Sequence, residues 1–530
     1  MTRGEAANET LQQRSPDVTG ARSSRWALVV IVAVSVFLRL VLCESGGQYF
    51  FGDELRYGRA VQLYFALASG DTHAVREILA LPDHSLFTWL GAVVTAVQRV
   101  LAQATPYGDW GHHPEFAAFT IRLGSCVLSL FSALNVLLVY RLARAVRADR
   151  EEAVWAALVM AVSNTAFYYS RHLLPYDCAI CAGLLAMLAG LGAPTVPRAA
   201  LCGILAGCAY HLYNGYWFLP PLVFLACLGG WRLQPRRALL ASALGAGFAF
   251  AVALPLLLGT MAGGAQYWRT LAAFSGTVTQ GLFSEGWSLP WAYLWASERW
   301  MGAALAACVV LAVARELGAR RRLDARAATW LALLGAAYGL LVFSSVVMER
   351  FVVYGRTVKP LVPLLCLLAG WALRRLIGER TWLRLLVAAA LAVSGFTSFT
   401  PHFSRVFPRE VEVAVLRDLG NPKHSLSVSG SIYNPLSVPV ARPDLVLVNA
   451  QMIFPIRSYI GYPAGATLLR IEHPLTYPPY QFEGHTPRER AILSGDDISI
   501  RLIRLADPGR VPDDLPFPLR YQNADRPTGK

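Results

Sequence analysis

The chain has 530 residues, 55% hydrophobic and only 15% charged, with a formal net charge of +14. Soluble proteins carry about 25% charged residues, so these proportions exclude an ordinary water-soluble globule and describe a polytopic membrane protein. Nearly all the positive charge is arginine, since lysine occurs only at Lys359, Lys423 and Lys530. The arginines sit in short clusters between apolar runs, as the positive-inside rule arranges them, which speaks against a nucleic-acid partner.

Residues 1–25 are polar and no small-residue cleavage site follows, so they read as a cytoplasmic tail and not a signal peptide. The apolar run Trp26–Cys43 is the first spanning helix, and residues 44–118 then form a long extracytoplasmic loop. Within that loop "GDELRYGRAVQLYFALASGD" repeats apolar residues at helical spacing, and "LFTWLGAVVTAVQRVLA" is a second apolar piece. Both read as amphipathic helices in the membrane interface, although the second is long enough to cross. Charge argues against crossing, though whether residues 86–103 span or lie on the membrane stays open. With residues 86–103 lying flat, "YRLARAVRADR" after Phe119–Val139 falls inside, and so do "WRLQPRR", "ARELGARRRLDAR" and "LRRLIGERTWLR".

The expectation is therefore a mainly α fold, a bundle of about eleven spanning helices over residues 26–399 with interfacial helices in the first outer loop. The last helix, Leu385–Ser398, points outward into residues 400–530. There "SLSVSG", "DLVLVNA" and "ISIRLIRL" alternate as strands do, which predicts a small extracytoplasmic α/β domain. The closing "RYQNADRPTGK" reads as a disordered tail. All nine cysteines lie in or beside apolar segments, so no disulfide framework is implied, and Cys178-x-x-Cys181 reads as packing.

This topology gathers the polar residues of the bundle on its outer face. They are Asp53, Glu54, Arg56 and Tyr57, then Asp83 and His84, then His112, His113, Glu115 and Arg122. "YYSRHLLPYD" adds Arg171, His172 and Asp177, a loop from about Gly263 to Glu298 adds Tyr267, Arg269 and Glu285, and "MERFVVYGRTVKP" adds Glu349, Arg350, Arg356 and Lys359. Guanidinium forks suit phosphate, which at this depth belongs to a lipid headgroup. A neighbouring carboxylate can take a proton from an incoming hydroxyl or amine. Together they describe transfer of a group from a lipid phosphate to an acceptor.

Plainer readings stand beside that one. Asp53 and Glu54 could serve a helix dipole, and Arg171, His172 and Arg39 could be interfacial snorkellers. Adjacent His112 and His113 make a poor chelate, and Tyr210, His211, Tyr213, Asn214 and Tyr216 read as an interfacial belt. Asp177 is harder to set aside, because an acid entering an apolar helix needs a partner or a purpose.

In order along the chain, "DELRYGRA", Pro82 with Trp89, "FTIRLGSCVLSLFSALNVLLVYRLAR", "SRHLLPYD" and "GRTVKPLVPLL" resemble the GT-C superfamily of membrane glycosyltransferases. The pattern is nearest to the bacterial aminoarabinose transferases and protein O-mannosyltransferases. The resemblance implies a GT-C bundle, a polyprenyl-phosphate-linked sugar as donor, and a lipid, glycan or protein acceptor. It gives Asp53 the part of first-loop catalytic carboxylate, with Glu54 beside it, and Asp177 that of the second acid. Arg56, Tyr57, Arg122 and Arg356 match substrate-binding positions, and His84, Arg171, His172, Arg269 and Lys359 are candidates from their place on the outer face. A divalent cation bridging Asp53 and Asp177 is implied in the aminoarabinose branch but not required by this sequence.

The chain departs from the pattern in three places. Where relatives have Lys or His before Pro-Pro-Leu it has "PDHSLFTW", so His84 either replaces a basic phosphate contact or the contact is missing. Thr357 stands where Tyr is usual, and residues 400–530 show no family pattern. Arginine-heavy, lysine-poor usage points to a bacterium and hence to its inner membrane. A flippase or transporter of lipid-linked sugars is the rival. Transporters place ionisable groups mid-membrane in repeated halves, whereas here the acids gather at one surface and no repeat is found.

Overall fold

The computed structural model describes residues 18–48, 52–82, 84–103, 114–192, 194–277, 281–320 and 322–404, and in the C-terminal part 411, 414, 415, 418, 425–427, 445–449, 467–473, 482–484, 490 and 500–504. Among these, seven helices are long and apolar enough to cross a membrane: Ser24–Glu44, Leu123–Ala145, Arg237–Ala273, Leu289–Ala319, Ala325–Val347, Gly355–Ile377 and Thr381–Ser404. The chain is a multi-pass helical membrane bundle. Against the eleven or so spans expected, the other apolar helices, among them Tyr176–Leu191 and Val196–Leu212, are shorter. The physical reason is enclosure. A helix wrapped by protein need not match the hydrocarbon thickness, and Tyr176–Leu191 is buried along almost its whole length.

Close packing within the bundle relies on small residues. Helices Val196–Leu212 and Arg237–Thr277 meet where Gly203 faces the main chain of Leu244 and Gly247 faces that of Ala200, contacts that a Cβ would block. The expected outer loop 263–298 is instead largely helical. Helix Arg237–Thr277 continues through a kink at Gly264 (φ 52°), and a short 3-10 turn, Ser284–Trp287, leads into Leu289–Arg320. At Gly264 the backbone leaves helical geometry, so two helical stretches meet there at a bend, and of residues 265–270 beyond it only Tyr267 is buried.

The arginine clusters do more than obey the positive-inside statistic. Arg374 Nε lies 2.9 Å from Asp149, Arg384 Nε 2.8 Å from Glu151, Arg326 Nη1 2.8 Å from Glu152 and Arg375 Nη2 2.7 Å from Asp324. Burial works against the Asp324 carboxylate, yet its bonds to Arg326 and Arg375 bring its pKa down to about 2. These pairs tie the helix ends at one face of the bundle. The span Gly355–Ile377 runs from there to the other face, and its 23 residues rise about 35 Å. Arg356 therefore stands opposite the arginine clusters.

On that opposite face a 3-10 turn, Gly52–Glu54, opens the helix Leu55–Ser69, followed by Thr72–Leu79 and Ser85–Gln103. The C-terminal part forms a four-stranded sheet of β1 Ser425–Ser427, β2 Leu445–Asn449, β3 Thr467–Glu472 and β4 Ile500–Arg504. The strand order is β1-β2-β4-β3, with β1 parallel to β2 and the other pairs antiparallel. The alternating runs located β1, β2 and β4; β3 was not anticipated. Residues 1–17 and the expected tail 520–530 lie outside the described residues.

Candidate active site

The two acids of "GDE" face different surroundings. Glu54 is fully buried: Oε1 accepts the Leu173 N–H at 2.8 Å, and His172 Nδ1 lies 3.3 Å from Oε2. It makes no capping bond to its own helix, so its work is to pin the 172–173 turn. Asp53 keeps some exposure. Arg56 Nη1 lies 3.1 Å from Oδ1, Arg356 Nη1 3.1 Å from Oδ2, and the Tyr176 hydroxyl donates to Oδ2 at 3.1 Å. Burial alone would raise its pKa. Arg356, Arg56 and His84 overcome that and hold it well below the usual carboxylate range.

Arg356 is the hub. It lies in the short helix Gly355–Val358, with its guanidinium carbon 4.4 Å from the Tyr354 ring centroid and its carbonyl accepting from the Tyr216 hydroxyl at 3.0 Å. Its other carboxylate partner comes from the C-terminal part of the chain. Glu483 Oε2 lies 3.4 Å from Arg356 Nη1, while Oε1 accepts the Arg356 N–H at 2.8 Å and the Tyr169 hydroxyl at 2.6 Å. Burial pushes the Glu483 pKa up, and Arg356 and Tyr169 only partly offset it.

Tyrosines wall this cluster. The Tyr176 and Tyr213 centroids are 4.7 Å apart, as are those of Tyr213 and Tyr216. Burial raises the Tyr213 pKa to about 12, so it is a neutral donor. His84, at φ 47°, lies 5.0 Å from the Tyr213 ring and accepts the Asn214 N–H on Nδ1 at 3.4 Å. The interfacial-belt reading of 210–216 is thus corrected. Tyr213 and Tyr216 are buried, and His211, also buried, has Nε2 at 3.2 Å from the Val252 carbonyl. The polar ends of Tyr216 and His211 find partners inside the protein and not in headgroups.

A second layer lies deeper. Lys359 Nζ is 2.8 Å from Asp177 Oδ2 and 5.1 Å from the Tyr169 centroid, and the Asp177 carbonyl accepts from Asn135 Nδ2 at 3.1 Å. Arg39 and Arg171 do not snorkel. Arg39 is buried, bonded to Ser132 at 3.0 Å and to the Ser35 carbonyl at 3.2 Å. Arg171 donates to the carbonyls of His402 at 3.0 Å and Leu42 at 3.3 Å, joining the ends of the first and last spans. His172 has its pKa lowered by burial against the pull of Glu54, so it is neutral.

Of the residues singled out from sequence, Asp53, Arg56 and Arg356 meet in one cluster with His84 at its edge, and Asp177 meets Lys359 beneath it. Tyr57 is buried, its hydroxyl accepting from Gln98 at 3.0 Å between the first-loop helices. Arg269 is exposed on the helix past the Gly264 kink and enters none of these contacts. The Arg122 and Glu115 side chains, Asp83, His112 and His113 lie outside the described residues. Sequence reasoning missed Glu483, Tyr169 and Tyr176. The tyrosines lay inside a quoted stretch, while the only signal for Glu483 was an acid set beside an aromatic in "YQFEGH".

The donor set does not fit a divalent ion bridging Asp53 and Asp177. Asp53 faces two guanidiniums and Asp177 an ammonium, and among the described residues no three His, Cys, Asp or Glu converge. Beside the site lies an apolar cavity of about 870 Å³ whose lining includes Tyr210, Trp217, Phe224, Phe248, Leu340 and Phe343.

No family model and no curated protein matches the chain. Among solved structures it is similar to a crystal structure of ArnT from Cupriavidus metallidurans bound to undecaprenyl phosphate, at 16% identity and a TM-score of 0.43. The match covers 69% of this chain, which spans 63% of the length of that one.

Proposed function

We propose that this chain is an integral membrane glycosyltransferase of the GT-C type, moving a sugar from a polyprenyl-phosphate donor to an acceptor hydroxyl or amine on the extracytoplasmic side of a bacterial inner membrane. One observation carries the reading: a carboxylate, Asp53, is held between two guanidiniums at the end of the bundle opposite its arginine clusters. Arg356 and Arg56 are placed to take up a lipid phosphate, and the aromatic cavity offers room for an isoprenoid chain. The acceptor oxygen or nitrogen forms the new bond to the anomeric carbon as the bond to phosphate oxygen breaks. The electron pair leaves with the polyprenyl phosphate and the acceptor proton goes to Asp53. Displacement in a single step inverts the anomeric centre.

In the resting arrangement Asp53 is a poor base, because its charge is already satisfied by Arg356 and Arg56. A donor phosphate that recruits these guanidiniums frees the carboxylate and raises its basicity, so base strength follows donor binding. The buried Asp177–Lys359 pair favours the flippase as second reading, since ionisable pairs deep in a bundle also mark transport paths.

The test uses the protein in lipid discs with radiolabelled polyprenyl-phosphate sugars and a membrane acceptor extract. Asp53→Asn should abolish transfer and leave donor binding largely intact. Full activity in that variant removes Asp53 from the role, and label that crosses leaflets without leaving its lipid makes the protein a flippase.

A further inference from the structure

We propose that Glu483 is a positioning residue through which the C-terminal domain sets Arg356, holding its main chain with one carboxylate oxygen and competing for its guanidinium with the other. The two oxygens are engaged differently. Oε1 takes two short bonds, from the Tyr169 hydroxyl at 2.6 Å and the Arg356 N–H at 2.8 Å. Among the described residues Oε2 has no hydrogen-bond partner, and it lies 3.4 Å from Arg356 Nη1, the nitrogen that is also 3.1 Å from Asp53. One nitrogen is thus shared between a carboxylate from the first loop and one from the far end of the chain.

The approach is built into both sides. A Cβ at Gly355 would fall 2.8 Å from Glu483 Oε1 and 2.7 Å from a Tyr293 ring carbon, so the residue before Arg356 has to be glycine for the carboxylate to come this near. Tyr293 also packs edge-on against Phe482, with centroids 5.7 Å apart, which seats the residue preceding Glu483. Phe482 and Glu483 together form a plug whose tip touches the hub of the site.

Asp53 and Glu483 balance Arg56 and Arg356, leaving the cluster neutral. An arriving phosphate diester brings one more negative charge and needs the guanidinium that Glu483 draws upon. Removing the Glu483 charge while keeping its oxygen should therefore favour the anion, and removing the side chain should release the Arg356 main chain. The ligand half of this inference rests on the lipid-phosphate reading above; the main-chain half does not.

The experiment compares wild type, Glu483→Gln and Glu483→Ala in lipid discs, reading polyprenyl-phosphate affinity and amide hydrogen exchange over residues 354–358. Glu483→Gln, whose amide oxygen can accept the same two bonds, should bind polyprenyl phosphate about tenfold more tightly and leave exchange unchanged. Glu483→Ala should speed exchange at the Arg356 amide at least about tenfold. Equal affinity of wild type and Glu483→Gln, or unchanged exchange in Glu483→Ala, overturns the proposal. If neither wild type nor Glu483→Gln binds the lipid while Glu483→Ala still opens the amide, the donor reading falls and the main-chain hold stands. Should Glu483→Ala not fold, Tyr169→Phe removes one of the two bonds to Oε1, and an amide that exchanges no faster in it overturns the hold.

Discussion

Lys359 Nζ sits 2.8 Å from Asp177 Oδ2 with the two side chains only 1% and 7% exposed, and among the described residues the other Asp177 oxygen has no hydrogen-bond partner. The geometry is close but the pair is incompletely solvated by the protein, so its net contribution to stability is small. Removing one partner is another matter, because it strands a buried charge. Lys359→Met should destabilise the fold by about 3–5 kcal/mol, while Asp177→Leu combined with Lys359→Met should recover most of that loss. Unfolding midpoints of the purified variants in detergent check this. Equal stability of Lys359→Met and wild type would show that the pair carries no such charge coupling. A stable double variant also separates folding from transfer, since any activity lost in it belongs to the reaction.

Arg356 and Arg56 touch the same carboxylate but are not equivalent. Arg356 is shared between Asp53 and Glu483 and stacked on Tyr354, whereas Arg56 is a local partner of Asp53, three residues on in sequence. Arg356→Ala should weaken polyprenyl-phosphate binding about 10- to 100-fold, from the loss of one or two charge-assisted bonds. Arg356→Lys should restore only part, because an ammonium keeps the charge without the fork. Arg56→Ala should cost less than either. Titration of the lipid phosphate against the variants in discs gives the order, and the reverse ranking would move the phosphate to Arg56.

The helical bundle, the placement of Asp53, Arg56 and Arg356 away from the arginine clusters, and three of the four strands were legible because each rests on a local signal. These signals are apolar length, arginine clusters at one end of the helices, and period-two alternation. What stayed hidden was contact between distant segments. Tyr213 and Tyr216 have the composition of an interfacial belt, and only the packing of 211–217 against Tyr176 and Arg356 turns them inward. Arg39 and Arg171 sit where snorkelling is common, yet each finds oxygens of neighbouring helices instead. Glu483 had only a neighbouring aromatic to mark it in sequence, since its contacts are with Arg356 and Tyr169, far away along the chain.

His172 gives a stability prediction with a definite sign. Burial, helped by Arg171 and Lys359, lowers its pKa in the fold despite Glu54, so the unfolded chain binds its proton more readily than the native one. Stability then rises with pH wherever the unfolded state holds more protons. This contribution is fully present above the unfolded value of about 6.5 and is lost as pH falls from there toward the folded value. The unfolding temperature should accordingly drop between pH 7 and 5, and His172→Gln should flatten that slope. A slope as steep in His172→Gln as in wild type would place the titration elsewhere.

The sharpest kinetic prediction concerns Asp53. In the free protein Arg356, Arg56 and His84 keep it ionised far into the acid range, so Asp53 should give kcat/KM for the donor no acid limb above about pH 4. Once the donor phosphate has drawn the guanidiniums away, the carboxylate regains basicity, and its protonation should inhibit at higher pH. The acid limb of kcat, which reports the donor-bound protein, should therefore lie at higher pH than any limb in kcat/KM. Arg356→Ala should bring the two profiles together by raising the free-protein limb, because the resting carboxylate then lacks its main counter-charge. Superimposable kcat and kcat/KM profiles in wild type would mean that Arg356 stays on Asp53 throughout, and the proton acceptor would have to be sought in another group of the cluster.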